Sequence, residues 1–498
     1  MPTVPALRLR AVNDAPPRPV GRYVLYWMIT ARRTRSNFAL QYARDEAAAR
    51  GVPLLVLEAL GLDHLWASPR FHAFVIAGMR DNAERLGAAY YPYVERTPGE
   101  GKGLLAALAR DAALVVTDDA PVFHLPRLVA AAGKRLDVRL VAVDSNGLLP
   151  LRDAPATPFP TAYAFRRHLQ KTLPTHLSPG SWPEADPLAS TDLPDAPPVD
   201  PAIEARWPRG FEVDLATLPL DPAVAPVAGF PGGSVAAHAR LRGFLARFGA
   251  YATDRNEPAA DATSGLSPYL HFGHIGAHEV FDALAEREGW TPDRVTAGGN
   301  GSREGWWHAS AAAEGFLDQL VTWRELGLNV ASRDPLHAAY EGLPAWACAT
   351  MEAHAIDPRP HVYTREQLET GQTHDPLWNA AMRQLREEGR IHNYLRMLWG
   401  KKVLEWSPSP REAYDTLVAL NDRWALDGRD PNSYTSIGWV LGKHDRPWGP
   451  VRPIFGTIRY LSSDNTARKY DVKPYLARWG TGGEAAKKPA ARQGALFG

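Results

Sequence analysis

The chain has 498 residues, more than a single hydrophobic core usually organises, so its length predicts two domains. Apolar residues make up 45% and charged residues 22% of the sequence, which excludes a disordered or fibrous protein. The 56 Lys and Arg residues against 55 Asp and Glu give a formal net charge of +1, so any nucleic-acid surface must come from local clusters of basic residues.

Cysteine content and hydropathy indicate the cellular compartment. Cys348 is the single cysteine, which excludes an intramolecular disulfide framework and any four-cysteine zinc or iron–sulfur site. No apolar run approaches the length of about 18 residues expected for a membrane span, and the N-terminus lacks a signal-peptide pattern. We therefore expect a cytoplasmic protein. The 16 tryptophans are the one unusual count.

The first part of the chain alternates strand and helix patterns. Tyr23–Met28 and residues 52–60 read as strands on either side of a helix over residues 37–51, which ends in glycine. Further strand patterns at Ala88–Tyr93, Ala113–Thr117 and Val138–Asp144 alternate with helical patterns at Gly103–Arg110 and Leu125–Gly133. Residues 20–150 are therefore predicted to form a doubly wound α/β domain. No G-x-G-x-x-G motif follows the first strand.

The remainder is predicted to be mainly helical. Residues 151–234 read as an interdomain connection, partly helical and then rich in proline, which disfavours long helices. Residues 235–480 form a predicted helical domain, and residues 481–498 a patternless tail. The helical patterns of that domain lie at Val235–Phe248, Glu279–Arg287, Ala311–Leu328, Leu377–Glu388, Ile391–Ser407 and Pro410–Asn421.

Two patterns in the helical part have both a structural and a functional interpretation. The segment TSGLSPYL places the hydroxyls of Thr263, Ser264 and Ser267 before a proline-started turn, which suits either a pyrophosphate cradle or a helix N-cap. Trp399 and Trp406 are seven residues apart in one predicted helix, so they share a face about 10 Å apart along the axis. That spacing suits electron hopping, but core packing produces it equally well.

Four segments of this region resemble the class II photolyases. They read TSGLSPYLHFGHI, THDPLWNAAM, HNYLRMLWGKKVLEW and LNDRWALDGRDPNSYTSIGW, and RPIFGTIRYL follows them. The resemblance covers nearly all of residues 236–475 and extends more weakly to YWMITARRTRSNFAL in the first domain. It implies the photolyase-homology fold, with an α/β Rossmann-like N-terminal antenna domain and an all-α C-terminal domain that binds FAD.

The resemblance also implies roles for individual residues. Trp378 joins Trp399 and Trp406 in a tryptophan relay that keeps the flavin reduced. Arg396 and Asp427 match an ion pair beside the flavin ring, and Asn421 matches the asparagine at its N5 edge; without the family, a surface salt bridge and a helix-end asparagine would be the simpler interpretation. The FAD-binding residues implied are Tyr251, Thr263, Ser264, Gly265, Leu266, Ser267, Arg324, Arg396, Asn421, Asp427 and Asp430.

A third group of residues is implied to bind DNA. Trp323, Met397 and Trp439 match positions that line the cavity for a flipped-out pyrimidine dimer, although each alone would pass for a core residue. Basic residues suited to phosphate contacts follow at Lys443, Arg446, Arg452, Arg459 and Lys469. An ordinary solvent-exposed surface would carry the same basic residues without binding DNA.

One position departs from the family pattern. Relatives carry two adjacent glutamates where this chain reads GFLDQL, so Gln319 stands in place of the carboxylate that hydrogen-bonds the dimer. An amide keeps hydrogen-bonding capacity but cannot transfer a proton as a carboxyl group can. Binding is expected to survive while repair efficiency falls, unless Asp318 or a shift of one residue supplies the acid.

The resemblance predicts a monomeric, metal-free lyase that splits cyclobutane pyrimidine dimers in UV-damaged DNA by electron transfer from photoexcited reduced FAD. The alternative is a cryptochrome-like photoreceptor with weakened repair, which Gln319 favours. Repair of the (6-4) photoproduct and an FAD-dependent dehydrogenase fit less well, the latter because the Rossmann glycine motif is absent. A second antenna chromophore of the 8-hydroxy-deazaflavin or folate type is compatible with the first domain.

Overall fold

A mostly parallel sheet organises the N-terminal part of the computed structural model, which describes residues 4–189, 194–195 and 199–480. Its strands are β1 (Leu9–Ala11), β2 (Tyr23–Met28), β3 (Leu54–Leu60), β4 (Tyr90–Val94), β5 (Ala112–Asp118) and β6 (Leu140–Val143). Within the described residues the strand order is β1-β6-β5-β2-β3-β4, with only β1 antiparallel to its neighbour. The predicted α/β fold is confirmed.

Helices cover both faces of this sheet, as its apolar strands require. They are α1 (Phe38–Arg50), α2 (Pro69–Leu86), α3 (Leu104–Ala109) and α4 (Leu125–Arg135). The sequence reading assigned neither the edge strand β1 nor the long helix α2. The three residues of β1 are too few to show a period, and more than half of α2 is buried, so α2 has no clear polar stripe.

The segment before residue 234 packs against both halves of the molecule. It contains α5 (Ala162–Thr172) and the short α6 (Pro201–Arg206). Phe165 of α5 belongs to the core of the helical part, whereas Trp207 packs on one face of the sheet. The proposed boundaries at residues 150 and 234 stay a prediction, and the predicted tail, residues 481–498, lies outside the described residues.

The rest of the described chain is helical, as predicted. It comprises α7 (Ser234–Ala246), α8 (Tyr251–Asp254), α9 (Ser267–His271), α10 (Ala277–Glu288), α11 (Ala311–Leu317), α12 (Arg324–Arg333), α13 (Ala345–Ala353), α14 (Arg365–Glu369), α15 (Pro376–Glu388), α16 (Asn393–Trp406), α17 (Pro410–Trp424), α18 (Pro431–Val440), α19 (Ser463–Lys469) and α20 (Lys473–Trp479). No helix in the described ranges combines the length and apolar content needed to cross a membrane.

One predicted helix is wrong in detail. The pattern at Ala311–Leu328 predicted a continuous α-helix, but a π-helix at Asp318–Trp323 separates α11 from α12. Hydrophobic periodicity cannot reveal this widening, because one π-turn shifts the apolar stripe by only about one residue. Such π-turns occur frequently at functional sites, and this one contains two of the proposed site residues.

Helix caps explain why the site helices begin where they do. Asp375 accepts hydrogen bonds from the backbone N–H groups of Leu377 and Trp378 at the start of α15. Asp430 caps α18 in the same way, and Pro431 occupies its first position. Both signals are present in the sequence, because aspartate followed by proline is a typical helix start.

Candidate active site

An ion pair joins two elements of the helical part. The Arg396 guanidinium in α16 lies 3.2 Å from the Asp427 carboxylate, in the loop that follows α17. The Ser267 hydroxyl at the start of α9 donates a 2.8 Å hydrogen bond to the other Asp427 oxygen. The side chains of the pair remain 20% and 17% exposed, so their polar groups line a space rather than a sealed core. Three segments distant in sequence therefore meet at Asp427.

A buried carboxylate, Asp422, lies in the last turn of α17, five residues before Asp427 in the chain. The Asn421 amide, in the last turn of α17, donates to the Asp422 carboxylate at 3.1 Å. The same carboxylate accepts hydrogen bonds from the Arg429 backbone N–H and the Tyr434 hydroxyl, each at 2.9 Å. Burial raises the pKa of Asp422. Sequence reasoning missed Asp422, although it directly follows Asn421 in a segment that the family resemblance had singled out.

The Thr263–Ser267 segment forms a tight loop before α9. Gly265 has a φ of +64°, and a Cβ there would come within 2.6 Å of the Arg240 guanidinium, so this position requires glycine. Arg240 donates to the Ser264 carbonyl at 2.7 Å. The Ser264 hydroxyl accepts from the backbone N–H of Leu266 within the loop, and no side chain caps α9, so the N-cap alternative is wrong. Thr263 and Ser267 keep exposed surface.

The other proposed FAD-binding residues have well-defined protein contacts. Tyr251 is buried, stacks on Phe248 with ring centroids 5.9 Å apart, and also contacts Phe316 edge to face. Arg324 donates to the Asn146 carbonyl at 2.7 Å, linking α12 to the loop that follows β6. Asp430 caps α18 and lies 3.3 Å from a ring nitrogen of His271. Tyr251 therefore packs as a core tyrosine would.

The three proposed relay tryptophans form one continuous stack. Trp378 from α15 lies between the two tryptophans of α16, parallel to Trp399 at 6.2 Å and edge to face with Trp406 at 5.6 Å between centroids. The Trp378 indole N–H donates to the Trp399 carbonyl at 3.1 Å, which fixes its ring. The indole nitrogen of Trp399 is buried and has no hydrogen-bond partner among the residues that the structure describes. The order is therefore Trp399, Trp378, Trp406.

The outer end of this stack is not at the surface. Trp406, at the end of the stack away from Trp399, is only 2% exposed. Tyr363 and His374 contact it, with ring centroids 5.4 and 5.3 Å away. His374 is exposed, and its Nδ1 is 2.7 Å from the Tyr363 hydroxyl. These two side chains, which sequence reasoning missed, lie between the relay and solvent.

The proposed dimer-binding residues all keep exposed surface. Gln319 in the π-helix is exposed, and Trp323, Met397 and Trp439 are each half-buried. The neighbouring Asp318 is buried instead and forms ion pairs of 2.8 Å with Arg166 and 3.6 Å with Arg303. Two arginines thus hold the Asp318 carboxylate, and its role as the missing acid stays a prediction. Gln319 is the polar group that the π-helix presents to solvent at this point.

Basic side chains surround Trp439 and a second tryptophan. The Arg459 guanidinium lies 5.7 Å from the ring centroid of Trp439 and 4.9 Å from that of Trp448. Arg446 lies 4.6 Å from Trp448, and Arg452 lies 4.9 Å from Tyr460. These contacts alternate cations with aromatic faces. Trp448 was missed, although its position in KHDRPWGPVR, among basic residues, could have indicated it.

Two members of the predicted basic cluster differ from this arrangement. Lys443 is buried, and its ammonium lies 3.3 Å from the Asp334 carboxylate, so it is not presented to solvent as a phosphate contact requires. Its aliphatic stem packs against Gly438, which explains the burial. Lys469 is exposed at the end of α19, where its ammonium lies 5.4 Å from the Tyr394 ring.

Solved structures with this fold come from photolyases and cryptochromes. A bacterial class III photolyase from Agrobacterium tumefaciens superposes with a TM-score of 0.65 at 18% identity, over 92% of this chain and 86% of its own. A cryptochrome from Synechocystis gives a TM-score of 0.63 at 18% identity, over 92% and 88%. The molecule therefore has the fold shared by photolyases and cryptochromes, which confirms the predicted architecture.

Sequence relatives identify one family among the proteins that share this fold. The deoxyribodipyrimidine photo-lyase of Methanothermobacter thermautotrophicus is 33% identical over 95% of this chain and 98% of its own length. The enzymes of the same name from Oryza sativa and Potorous tridactylus are each 34% identical, over 94% and 91% of this chain. The chain belongs to the deoxyribodipyrimidine photo-lyase family. No family model matches the sequence.

Proposed function

We propose that this protein is a light-dependent DNA repair lyase that splits cyclobutane pyrimidine dimers, with FAD as its cofactor. A single turn of α16 carries the proposal. Arg396 forms the ion pair with Asp427, Met397 keeps exposed surface, and Trp399 begins the tryptophan stack. A cofactor site, a substrate surface and an electron path thus converge on four consecutive positions. Relatives named deoxyribodipyrimidine photo-lyase support the same activity.

The residues present fit a flavin. Reduced FAD, when bound and excited by blue light, supplies the electron that splits the dimer. Arg396 offers a positive charge that favours an anionic cofactor, and Asp427 fixes its guanidinium. Asn421, whose amide donates to Asp422, is assigned to the flavin by the family resemblance, and the Trp399 indole nitrogen, which has no partner among the described residues, offers a donor to a bound acceptor. In this proposal Thr263 and Ser267 contact the phosphates.

The tryptophan stack has the chemistry of a charge relay. Its three indoles are almost fully buried, so no water shell must reorganise when an electron moves among them. Trp399 provides the inner end, and Trp406 the outer end beneath Tyr363 and His374. The relay serves to restore the reduced cofactor, so repair by protein that is already reduced does not depend on it.

The substrate surface combines stacking with hydrogen bonding. In the proposal Trp323, Met397 and Trp439 replace the stacking that a flipped base loses, and the Gln319 amide binds a pyrimidine carbonyl or N–H edge. Arg446, Arg452 and Arg459 bind the phosphates that flank the lesion. Lys443 is left out of this role because its ammonium is buried on Asp334.

A light-harvesting chromophore of the deazaflavin or folate type is a further part of the proposal. The sheet order reverses at β2, which lies between β5 and β3, and parallel sheets bind ligands in the crevice that such a reversal creates. Release of a second chromophore on denaturing the purified protein, seen in its absorption and fluorescence beside FAD, tests this point. FAD alone in the supernatant would contradict it.

A cryptochrome-like photoreceptor is the second candidate, and Gln319 is the observation that favours it. Photoreduced protein mixed with dimer-containing oligothymidylate under blue light separates the two. Recovery of thymine absorbance in the light but not in a dark control supports the lyase. A protein that photoreduces its flavin normally and restores no thymine would contradict the lyase and favour the photoreceptor.

A further inference from the structure

Lys401 is a buried cation in the helix that carries the proposed site. It lies in α16 at 1% exposure, among the largest side chains that are fully enclosed. Its ammonium donates a hydrogen bond to the carbonyl of Val440, the last residue of α18. Among the described residues it forms no ion pair with a carboxylate. Lys402, the next residue, pairs instead with Glu405 at 2.8 Å.

Keeping this charge inside the protein is costly. Burial lowers the pKa of Lys401 to about 7, with Asp445 raising it and Arg459 lowering it further. A buried ammonium with one carbonyl acceptor leaves most of its lost hydration uncompensated, and an apolar side chain of the same length is usually the more stable choice. Such a group is therefore a candidate for a function other than stability.

The position of Lys401 relates it to the proposed substrate surface. It follows Met397 by four residues, so both side chains lie on one face of α16. Its ammonium is 5.8 Å from the ring centroid of Trp439, whose neighbour Val440 accepts its hydrogen bond. A Cβ at Gly400 would come within 2.9 Å of the Val440 side chain, so the two helices approach closely here.

We propose that Lys401 is a positioning residue of the dimer cavity: its protonated ammonium holds the last turn of α18, and with it the Trp439 indole, in the orientation that stacks on a flipped base. This inference rests on the proposed function. The neutral amine still donates a hydrogen bond to Val440, but it loses the charge-assisted part of that bond and the attraction to the Trp439 ring. Loss of the proton therefore weakens binding of damaged DNA.

The charged groups around Lys401 allow this titration to be isolated. Asp445 also accepts the Trp448 indole N–H at 3.0 Å, and Arg459 contacts the Trp439 ring, so both belong to the same surface. Lys401→Met removes the ammonium and leaves both of these charged groups in place. A step in DNA binding around pH 7 that depends on Lys401 would therefore report its ammonium.

Binding of a dimer-containing duplex, measured in the dark at constant ionic strength from about pH 6 to about pH 9, tests the inference. The wild-type dissociation constant should rise roughly five- to thirty-fold as the pH passes through neutrality, the effect of losing a desolvated cation–π contact. Lys401→Met should bind weakly throughout, without the step. Lys402→Met is the matched control and should keep the wild-type profile, because its charge is paired with Glu405.

A step of wild-type size in Lys401→Met, or no step in the wild type, would overturn the inference while leaving the proposed function intact. Wild-type protein that binds no damaged DNA at any pH would overturn the proposed function, and the inference with it.

Thermal unfolding provides a second readout that does not involve DNA. The unfolded lysine has a pKa of about 10, so between about pH 7 and pH 10 the unfolded chain holds a proton that the folded protein has lost. Wild-type stability therefore gains from this group as the pH rises. Lys401→Met should melt higher than wild type, with the larger gap at pH 6. A lower melting point at pH 6 would assign Lys401 to structure and overturn the inference.

Discussion

Two groups of tryptophans in this molecule have opposite surroundings. Trp378 and its two partners in the stack are almost fully buried and contact one another. Trp439 and Trp448 are half-buried, and each lies against a guanidinium group. In the proposed function, the same side chain carries electrons in the buried group and stacks on a base, beside cations, in the half-buried group. The environment, and not the residue type, separates the two proposed roles.

Replacing the middle ring of the buried group should produce the largest effect. Trp378→Phe removes the indole that bridges the other two, so flavin photoreduction should slow by more than an order of magnitude. Transient absorption after a light pulse measures it. Trp290→Phe is the matched control, because Trp290 is also buried and also donates its indole N–H to the carbonyl of another tryptophan. Equal photoreduction in both variants would break the distinction between the two groups.

Replacing a tryptophan of the half-buried group should weaken DNA binding and leave photoreduction unchanged. Trp439→Ala should weaken binding of a dimer-containing oligonucleotide by about 1–3 kcal/mol, or roughly five- to 150-fold, because one stacking surface is lost. Photoreduction should stay at the wild-type rate, since Trp439 contacts none of the three relay rings in the described structure. Binding can be followed by fluorescence anisotropy. A variant that loses photoreduction and keeps DNA affinity would reverse the assignment.

The cations of the exposed region should contribute less individually. Arg452→Gln removes one exposed positive charge beside Tyr460, so affinity should fall equally for different flanking sequences, and the dependence of log K on log salt should lessen by about one. Arg80, an exposed arginine of α2, pairs with Glu212. Arg80→Gln is the control and should change neither the DNA affinity nor its salt dependence. An unchanged salt dependence in Arg452→Gln would remove that residue from the DNA surface.

The smallest expected effect is an increase in the quantum yield of dimer splitting. Gln319→Glu introduces the carboxyl group that the family resemblance implies at this position, where the side chain is exposed and the new charge is hydrated. The quantum yield of dimer splitting should rise a few-fold if this group contacts the dimer, whereas Gln319→Ala should lower it. The same yield in all three proteins would show that position 319 does not face the lesion, and would weaken the substrate surface built around it.

Local patterns predicted most of the secondary structure. Strands β2 to β6 and the helices around Trp378 and Trp399 lie within a few residues of their predicted bounds, because periodicity and Asp-Pro caps are properties of short segments. The π-helix at Asp318–Trp323 and the mostly buried α2 were not predicted, because their geometry depends on packing against other elements.

The sequence by itself determined that the protein is an α/β domain followed by a helical one, and its resemblance to photolyases indicated which residues to compare. Only the tertiary structure decided how those residues meet. It placed Trp378 between two tryptophans of another helix, buried Lys443 on Asp334, and enclosed Lys401 beneath Trp439. Burial and the partner of a charge depend on residues distant along the chain, and no local pattern contains that information.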